Sequence, residues 1–411
     1  MTTRPSSTTT DPLDVVIVGG GITGLYLGHL LLKANPHIRF VILEGASKPG
    51  GRIATGRFAG IEVVHGAGIG RLHKDLLLQG LLTELGVGYQ EFVTSRAIAK
   101  TVKPLDIMGA ITRIRRSSYY LQNPHVSFAQ AGKKVLGKNE YSAFCTATGY
   151  TDYEKEDVTD VLDNYGMDDN VEGWTGFYVP WRQLQDALVA SVGSRKRLKV
   201  GCKVESVTVA KAAAYRVQCA NGKEYYGKKV VFATNLTSLR SLLPRVRHYN
   251  HIIGQPFLRH YIQVDRASAA IMEKEVPVLT VVPAPLQKII PMDSRRGIYM
   301  IAYADNNSAM QLKPFTKDTE KHRNYFARLA EKALGLSSAL KIKKMAGFFW
   351  DVGTHAFGPL PSRFANRDVF IHEAQRPYPR QFVVGEVVSR HQGWVEGALE
   401  SVGAVVQEIL E

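Results

Sequence analysis

Apolar residues gather in this chain as four short, uninterrupted runs at residues 15–18, 40–43, 230–233 and 382–384. Each is short, rich in Val, Ile and Phe, and without alternation, which reads as a strand covered on both faces. The runs fall in three separate parts of the sequence, and a doubly wound sheet could collect them into one domain. Residues 25–33 follow the first run with helical spacing. Longer β-branched and aromatic strands are predicted at 252–264 and 297–303, and a helix over 320–334. Residues 113–178 look different, being polar with charge runs at 154–157 and 168–169. At the far end, residues 385–401 run from an apolar strand into an amphipathic helix, and Leu399, Val402, Val406 and Ile409 have the spacing of one packed face. The pattern predicts an α/β fold, one sheet-and-helix domain interrupted twice by a second domain of sheet and helices.

Between the first run and its helix stands Gly19-Gly20-Gly21-Ile22-Thr23-Gly24, a G-x-G-x-x-G turn in strand, turn, helix context. Gly19 permits the tight turn, Gly21 lets a pyrophosphate approach the backbone, and Gly24 lets the helix close on the strand. The anion then meets unpaired N–H groups at the positive end of the helix dipole. The second run ends in Glu44, where a carboxylate can accept both hydroxyls of an adenosine ribose, a spacing that fits a dinucleotide with no 2′-phosphate. A bare glycine turn is the alternative; the flanking strands and Glu44 favour dinucleotide binding.

With 411 residues, 45% hydrophobic and 22% charged, the chain is long enough for two substantial cores. Residues 1–12 read as a flexible leader without the features of a secretory or transit signal, and no stretch has the apolar length of a membrane span. A soluble, cytoplasmic protein is expected, and the basic residues at 195–197 leave a nuclear location open. Cys145, Cys202 and Cys219 form neither a C-x-x-C pair nor a zinc-spaced cluster, so no disulfide framework or metal site is expected. The formal charge of +15 comes from short, scattered basic clusters without a nucleic-acid motif, which argues against nucleic acid as a partner. Oligomeric state is not legible.

The glycine turn, then Glu44, then Gly50-Gly51-Arg52, then Gly66-Ala67, and finally the segment opening at Gly385 resemble the flavin-containing amine oxidase family, which includes monoamine and polyamine oxidases. The resemblance is strong over residues 1–75 and the last 40, and weaker between. It implies a Rossmann-like, glutathione reductase-like FAD-binding domain built from residues 13–75, 195–245 and 367–411. An interleaved α+β substrate domain would take 76–194 and 246–366. In those roles Gly51 passes close to the cofactor and Arg52 neutralises diphosphate charge or braces the flavin edge. Lys48 stands where the family usually shows arginine, and Val204 matches the position whose backbone meets adenine. Gly385 brings backbone to the pyrophosphate, and Glu386 resembles the acid that bonds the ribityl chain. Gly393-Trp394-Val395 would turn a helix N-terminus toward the flavin edge where negative charge develops.

The resemblance also implies a substrate site. Trp394 falls where the family places one wall of an aromatic cage for an amine. His355 occupies the opposite wall, able to stack, to donate a hydrogen bond or to titrate near neutrality, or else to be a hydrogen-bonded loop histidine. Thr354 stands where monoamine oxidases carry the cysteine that bonds the flavin, which implies noncovalent FAD. Arg259 falls at or near the lysine that holds a water at flavin N5, with Lys288 as a second candidate; Arg259 could hold the water, bind a substrate carboxylate or pair with a structural acid. Asp163, Asp168 and Asp169 could guide a polyamine or be loop acids. The implied activity is FAD-dependent oxidation of a small-molecule amine by hydride transfer, with O2 as acceptor and H2O2 released. A flavin-dependent desaturase or porphyrinogen-type oxidase, and a non-catalytic protein that keeps FAD as a folding ligand, are the alternatives.

Overall fold

The computed structural model describes residues 11–210 and 214–411; the first ten residues of the leader, residues 211–213 and the side chains of Ser194 and Arg195 lie outside it. One seven-stranded sheet runs in the order Val204–Val209, Tyr215–Cys219, Glu224–Phe232, Leu13–Val18, Phe40–Leu43, Leu198–Lys199, with Gln381–Val383 also paired to Glu224–Phe232. The four apolar runs meet here as parallel neighbours: Val16 lies beside Val41 and Val230, and Val231 beside Phe382. Their lack of alternation has a direct cause. Val15 and Ile17 point into one hydrophobic core, Val16 and Val18 into another on the opposite face.

The first core receives the helix Ile22–Ala34 and the late helix Val395–Gly403 through Leu25, Leu31, Leu399 and Val402. It also takes the helices Leu76–Glu84 and Trp181–Ser191, whose Leu78, Leu81, Leu82, Trp181, Leu184 and Leu188 are buried with it. The sequence boundaries at 76 and 194 therefore need correction, because these two helices stabilise the dinucleotide-type sheet rather than the second domain. Their apolar faces are local and readable; which sheet they cover depends on contacts between distant segments.

A second sheet of six strands is ordered Ile342–Phe357, Ile252–Val264, Ile298–Asp305, Lys288–Asp293, Leu279–Val281, Arg96–Ile98. The helix Glu320–Leu334 covers one face through Phe326, Ala327 and Ala330, while Phe58 and Val63 from the first part of the chain pack on the other. The polar stretch 113–178 is largely helical. Its helical segment Phe128–Thr148, broken by a kink at Gly137 (φ +77°), starts at a Ser127/Gln130 capping box and encloses Phe128, Phe144 and Tyr153 in a separate core. The strand Ile342–Phe357 carries the chain from the second sheet back to the first, so residues 353–355 arrive between them.

The glycine turn is explained by what a side chain would meet. A Cβ on Gly24 would lie 2.0 Å from the Gly19 carbonyl oxygen, and one on Gly19, at φ +113°, would lie 2.2 Å from the Ala233 oxygen. Exposed Gly80 in the helix Leu76–Glu84 has no atom within 4 Å of its Cβ position. Gly24→Ala is therefore expected to destabilise the fold by about 1–3 kcal/mol, and Gly80→Ala to stabilise it by about 0.5–1 kcal/mol, read by thermal and denaturant unfolding.

Candidate functional site

A cavity of about 690 Å³ lies between the two sheets, lined at one end by the glycine turn and Gly385 and at the other by aromatic residues of the second sheet. Two helix N-termini open onto it. Gly21 precedes the helix Ile22–Ala34, Trp394 precedes the helix Val395–Gly403, and neither start has a side-chain cap. Both therefore present free backbone N–H groups and a positive dipole end to the cavity. A Cβ on Gly21 would have only the Gly50 oxygen nearby, at 4.0 Å, and one on Gly385, at φ +125°, nothing closer than 3.6 Å. Protein packing does not exclude a side chain at Gly21; the cavity lip is what the missing side chain keeps clear. Gly51, Gly66, Ala67 and Val395 line the same space.

The polar centre of the site is a trio, the buried Glu386 and His355 with the half-buried Arg52. The Glu386 carboxylate accepts from Arg52 Nη2 at 2.9 Å, from the His355 backbone N–H at 2.9 Å and from His355 Nδ1 at 2.8 Å. Arg52 Nη1 also donates to the Gly353 oxygen at 2.9 Å. The Leu236 backbone N–H donates to His355 Nε2 at 3.3 Å, so that nitrogen carries no proton and Nδ1 must be the donor to Glu386. Burial pushes the His355 pKa down against the attraction of Glu386, which agrees with a neutral ring. Burial also pushes the Glu386 carboxyl up, but Arg52 and His355 outweigh it and hold the group far below its ordinary range. The trio carries one positive and one negative charge, with Arg52 facing the cavity.

The aromatic end is bounded by Trp394, Trp350, Trp174, Tyr178, Phe257 and Tyr303. Trp350 and Phe257 are register neighbours on adjacent strands, and the Trp350 indole donates to the His65 oxygen at 2.8 Å. Arg71 lies with its guanidinium carbon 3.7 Å from the Trp394 ring centroid. It is fixed there by Asp75 at 2.6 Å and Asp169 at 3.0 Å, so one face of Trp394 is taken by the protein itself. Arg259 is buried and lines the cavity, its guanidinium 4.2 Å from the Tyr303 centroid and its Nη1 3.8 Å from the Met300 sulphur. Lys288 lines it too, with Nζ 2.7 Å from the Gly149 oxygen, and burial pushes its pKa well down.

Several expected residues stand elsewhere. His355 is absent from the cavity wall: its ring is fully occupied by Glu386 and Leu236, so it is not the wall opposite Trp394. Lys48 is exposed outside the cavity lining, and Val204 packs at the edge of the second core of the first sheet. Glu44 lines the cavity, but both its oxygens already accept backbone N–H groups, from Gly20 at 2.8 Å and Ala46 at 2.7 Å. Asp168 and Asp169 pair with Lys74, and Asp163 with Arg115, which removes them as unpaired acids. Arg71 and Trp350 were not singled out as site residues. Arg71 had a readable signal, Asp75 four positions on, which marks a helical or turn ion pair and says nothing of Trp394.

Replacing Glu386 by Gln removes the counter-charge of Arg52, and because that guanidinium keeps partial access to water a loss of about 1–3 kcal/mol in unfolding free energy is expected. The carboxyl is held below its ordinary 4.5, so its stabilisation is present above that pH and lost as pH falls through the folded value. Denaturant unfolding across pH checks both parts: the gap between wild type and Glu386→Gln narrows only on the acid side.

The residues fit a flavin dinucleotide: two uncapped helix ends for anionic groups, a cation at Arg52, and glycines that keep the wall open. Comparison with known proteins agrees. A NAD(P)-binding Rossmann-like domain profile matches residues 17–85, and the profile of the flavin containing amine oxidoreductases matches residues 161–410. A putrescine oxidase redesigned in its cofactor binding superposes with a TM-score of 0.71 at 14% identity, over 97% of this chain and 99% of that one. A candidate protoporphyrinogen oxidase from Exiguobacterium sp. 255-15 superposes with a TM-score of 0.69 at 14% identity, over 98% and 99%. Likeness at that identity concerns the fold. No curated protein matches in sequence. Among the described residues no helix is long and apolar enough to cross a membrane, and no cluster of His, Cys, Asp and Glu could hold a metal ion. Because the oxidoreductase profile spans more than half of its length, on a fold shared end to end with oxidases, this chain belongs to the flavin-containing amine oxidoreductases.

Proposed function

We propose that this chain is an FAD-dependent amine oxidoreductase that holds FAD without a covalent bond and oxidises a small-molecule amine, with O2 as acceptor. The observation that carries the reading is the single cavity joining an anion-binding end at Gly21, Arg52 and Gly385 to an aromatic end at Trp394, Trp350 and Phe257. Bound flavin supplies a two-electron acceptor for the hydride of the amine α-carbon. The chain supplies position and electrostatics. Gly21 and Gly385 leave backbone accessible to phosphate oxygens, and Arg52, held in place by Gly353 and Glu386, offsets their charge. The N–H groups at the start of the helix Val395–Gly403 point at developing negative charge, which lowers the energy of the reduced cofactor.

On the substrate side, Trp394 offers its remaining face and edge, braced from behind by Arg71. A permanently charged Arg259 in the wall disfavours an ammonium and favours the neutral amine, the form that can lose hydride. Support for a noncovalent cofactor comes from Thr354, whose hydroxyl donates to Gln255 Oε1 at 2.9 Å, and from the three cysteines, none of which lines the cavity. Residues 13–75, 195–245 and 367–411, with the helices Leu76–Glu84 and Trp181–Ser191 added, form the proposed FAD-binding unit.

The purified protein is expected to be yellow, to release all its flavin on acid precipitation, and to bleach anaerobically when mixed with an amine substrate. A panel of monoamines, diamines and amino acids that leaves the flavin oxidised would remove amine oxidation. Flavin that stays with the precipitate would remove the noncovalent assignment. Arg259→Lys, which restores the residue type the family shows, is expected to raise peroxide formation without faster anaerobic reduction.

A further inference from the structure

We infer that the aromatic end of the cavity contains a carboxylate subsite anchored by Arg259, so that the substrate is an amine that also bears a carboxylate group. The inference rests on the amine-oxidation reading for the reacting end of the molecule, and on the wall itself for the acidic end.

Arg259 stands in the middle of the strand Ile252–Val264, between Phe348 and Tyr303 on its neighbours, and is only 6% exposed. A guanidinium keeps its charge at any working pH, and a buried cation ordinarily sits against a carboxylate. Here no carboxylate among the described residues lies within ion-pair distance: its surroundings are the Met300 sulphur, the Tyr303 ring, and the phenols of Tyr261 and Tyr150. The Tyr261 hydroxyl donates to the Val64 oxygen at 2.7 Å and is a neutral hydrogen-bond partner of the guanidinium, not a counter-charge. The guanidinium lies against the Gly68 backbone, where a Cβ would come within 3.0 Å of Nη2, so a glycine clears its approach to the cavity.

The carboxylates that line the cavity cannot serve Arg259. Glu44 braces the Gly20 and Ala46 amides, Glu386 belongs to Arg52 and His355, and Asp169 belongs to Arg71 and Lys74. Glu172 lies exposed beside the Arg96 backbone N–H. The nearby buried acid Asp305 is turned away, accepting from Thr151 and Gln287. Arg96 adds a second guanidinium to the same wall, donating to the Ala147 backbone oxygen, whereas burial favours the neutral form of Lys288 although Asp305 and Asp152 pull the other way. A wall carrying Arg259 and Arg96 repels a second ammonium and attracts an anion; a planar guanidinium left without a carboxylate partner matches a carboxylate in a bidentate pair.

The test uses the flavin-loaded enzyme and two probes of equal shape, benzoate and benzamide, titrated against the flavin absorption spectrum. Wild type is expected to bind benzoate at least about tenfold more tightly than benzamide, the difference a charge-assisted pair makes in a desolvated site. Arg259→Met is expected to abolish the preference and Arg259→Lys to retain part of it. Equal affinity of the two probes for wild type, which needs no variant, would overturn the inference, as would undiminished benzoate preference in a folded Arg259→Met protein. Anaerobic reduction by phenylalanine against phenethylamine supplies the second arm, with the amino acid expected to be favoured at least about tenfold in rate over dissociation constant. Equal or better reduction by phenethylamine counts against the carboxylate subsite. Reduction by neither compound, with benzoate preference intact, counts against amine oxidation alone.

Discussion

The Glu386 carboxylate binds groups from three distant parts of the chain, and the shape of the cavity follows from that. Arg52 comes from the segment after the second strand, His355 from the end of the long crossover strand, and Glu386 from the turn before the helix Val395–Gly403. Glu386 and His355 are removed from water, and the buried carboxylate is kept charged by the half-buried Arg52 and by the His355 hydrogen bonds. Leu236 fixes the histidine tautomer from the fourth side, so the proton arrangement is as determined as the heavy atoms. The consequence is mechanical. Arg52 is presented to the anionic end of the cavity, and the residues flanking the trio, Gly353, Thr354 and Gly385, are held as its wall.

Around that centre the two sheets contribute opposite kinds of surface. The first gives backbone: glycines and two helix starts whose N–H groups are unspent. The second gives side chains, chiefly rings, with Arg259 and Lys288 set among them. The acids that could have guided a cationic substrate are neutralised by Lys74, Arg71 and Arg115. Electrostatics at the aromatic end therefore favour neutral amines and anionic groups. Trp394 joins the two surfaces, because its backbone starts a helix of the first unit while its ring, with Arg71 stacked on it, faces the second.

Much of this was legible in the chain, and the reasons differ by element. The buried strands are visible because a strand covered on both faces cannot alternate, and the helix Glu320–Leu334 because its buried positions recur at helical spacing. Gly19 and Gly24 are visible because no side chain fits there. The stretch 113–178 was harder. Its helices bury narrow apolar faces between charged ones, so mean polarity hides a core built on Phe128, Phe144 and Tyr153.

By itself the sequence determined the dinucleotide-type turn, the strands that flank it, the family resemblance and the helix start at Trp394, because each is encoded over a few neighbouring residues and enforced by local sterics. Tertiary structure alone decided what the charged and aromatic residues do. His355 turned from a cage wall into a partner of Glu386, Lys48 and Val204 fell outside the cavity, and Arg71 became the backing of Trp394. Arg259 emerged as a buried cation without a carboxylate partner. The role of a charge is set by its neighbours in space and by how much water remains around it, and both come from distant chain segments, as Arg52 and Glu386, 334 residues apart, show.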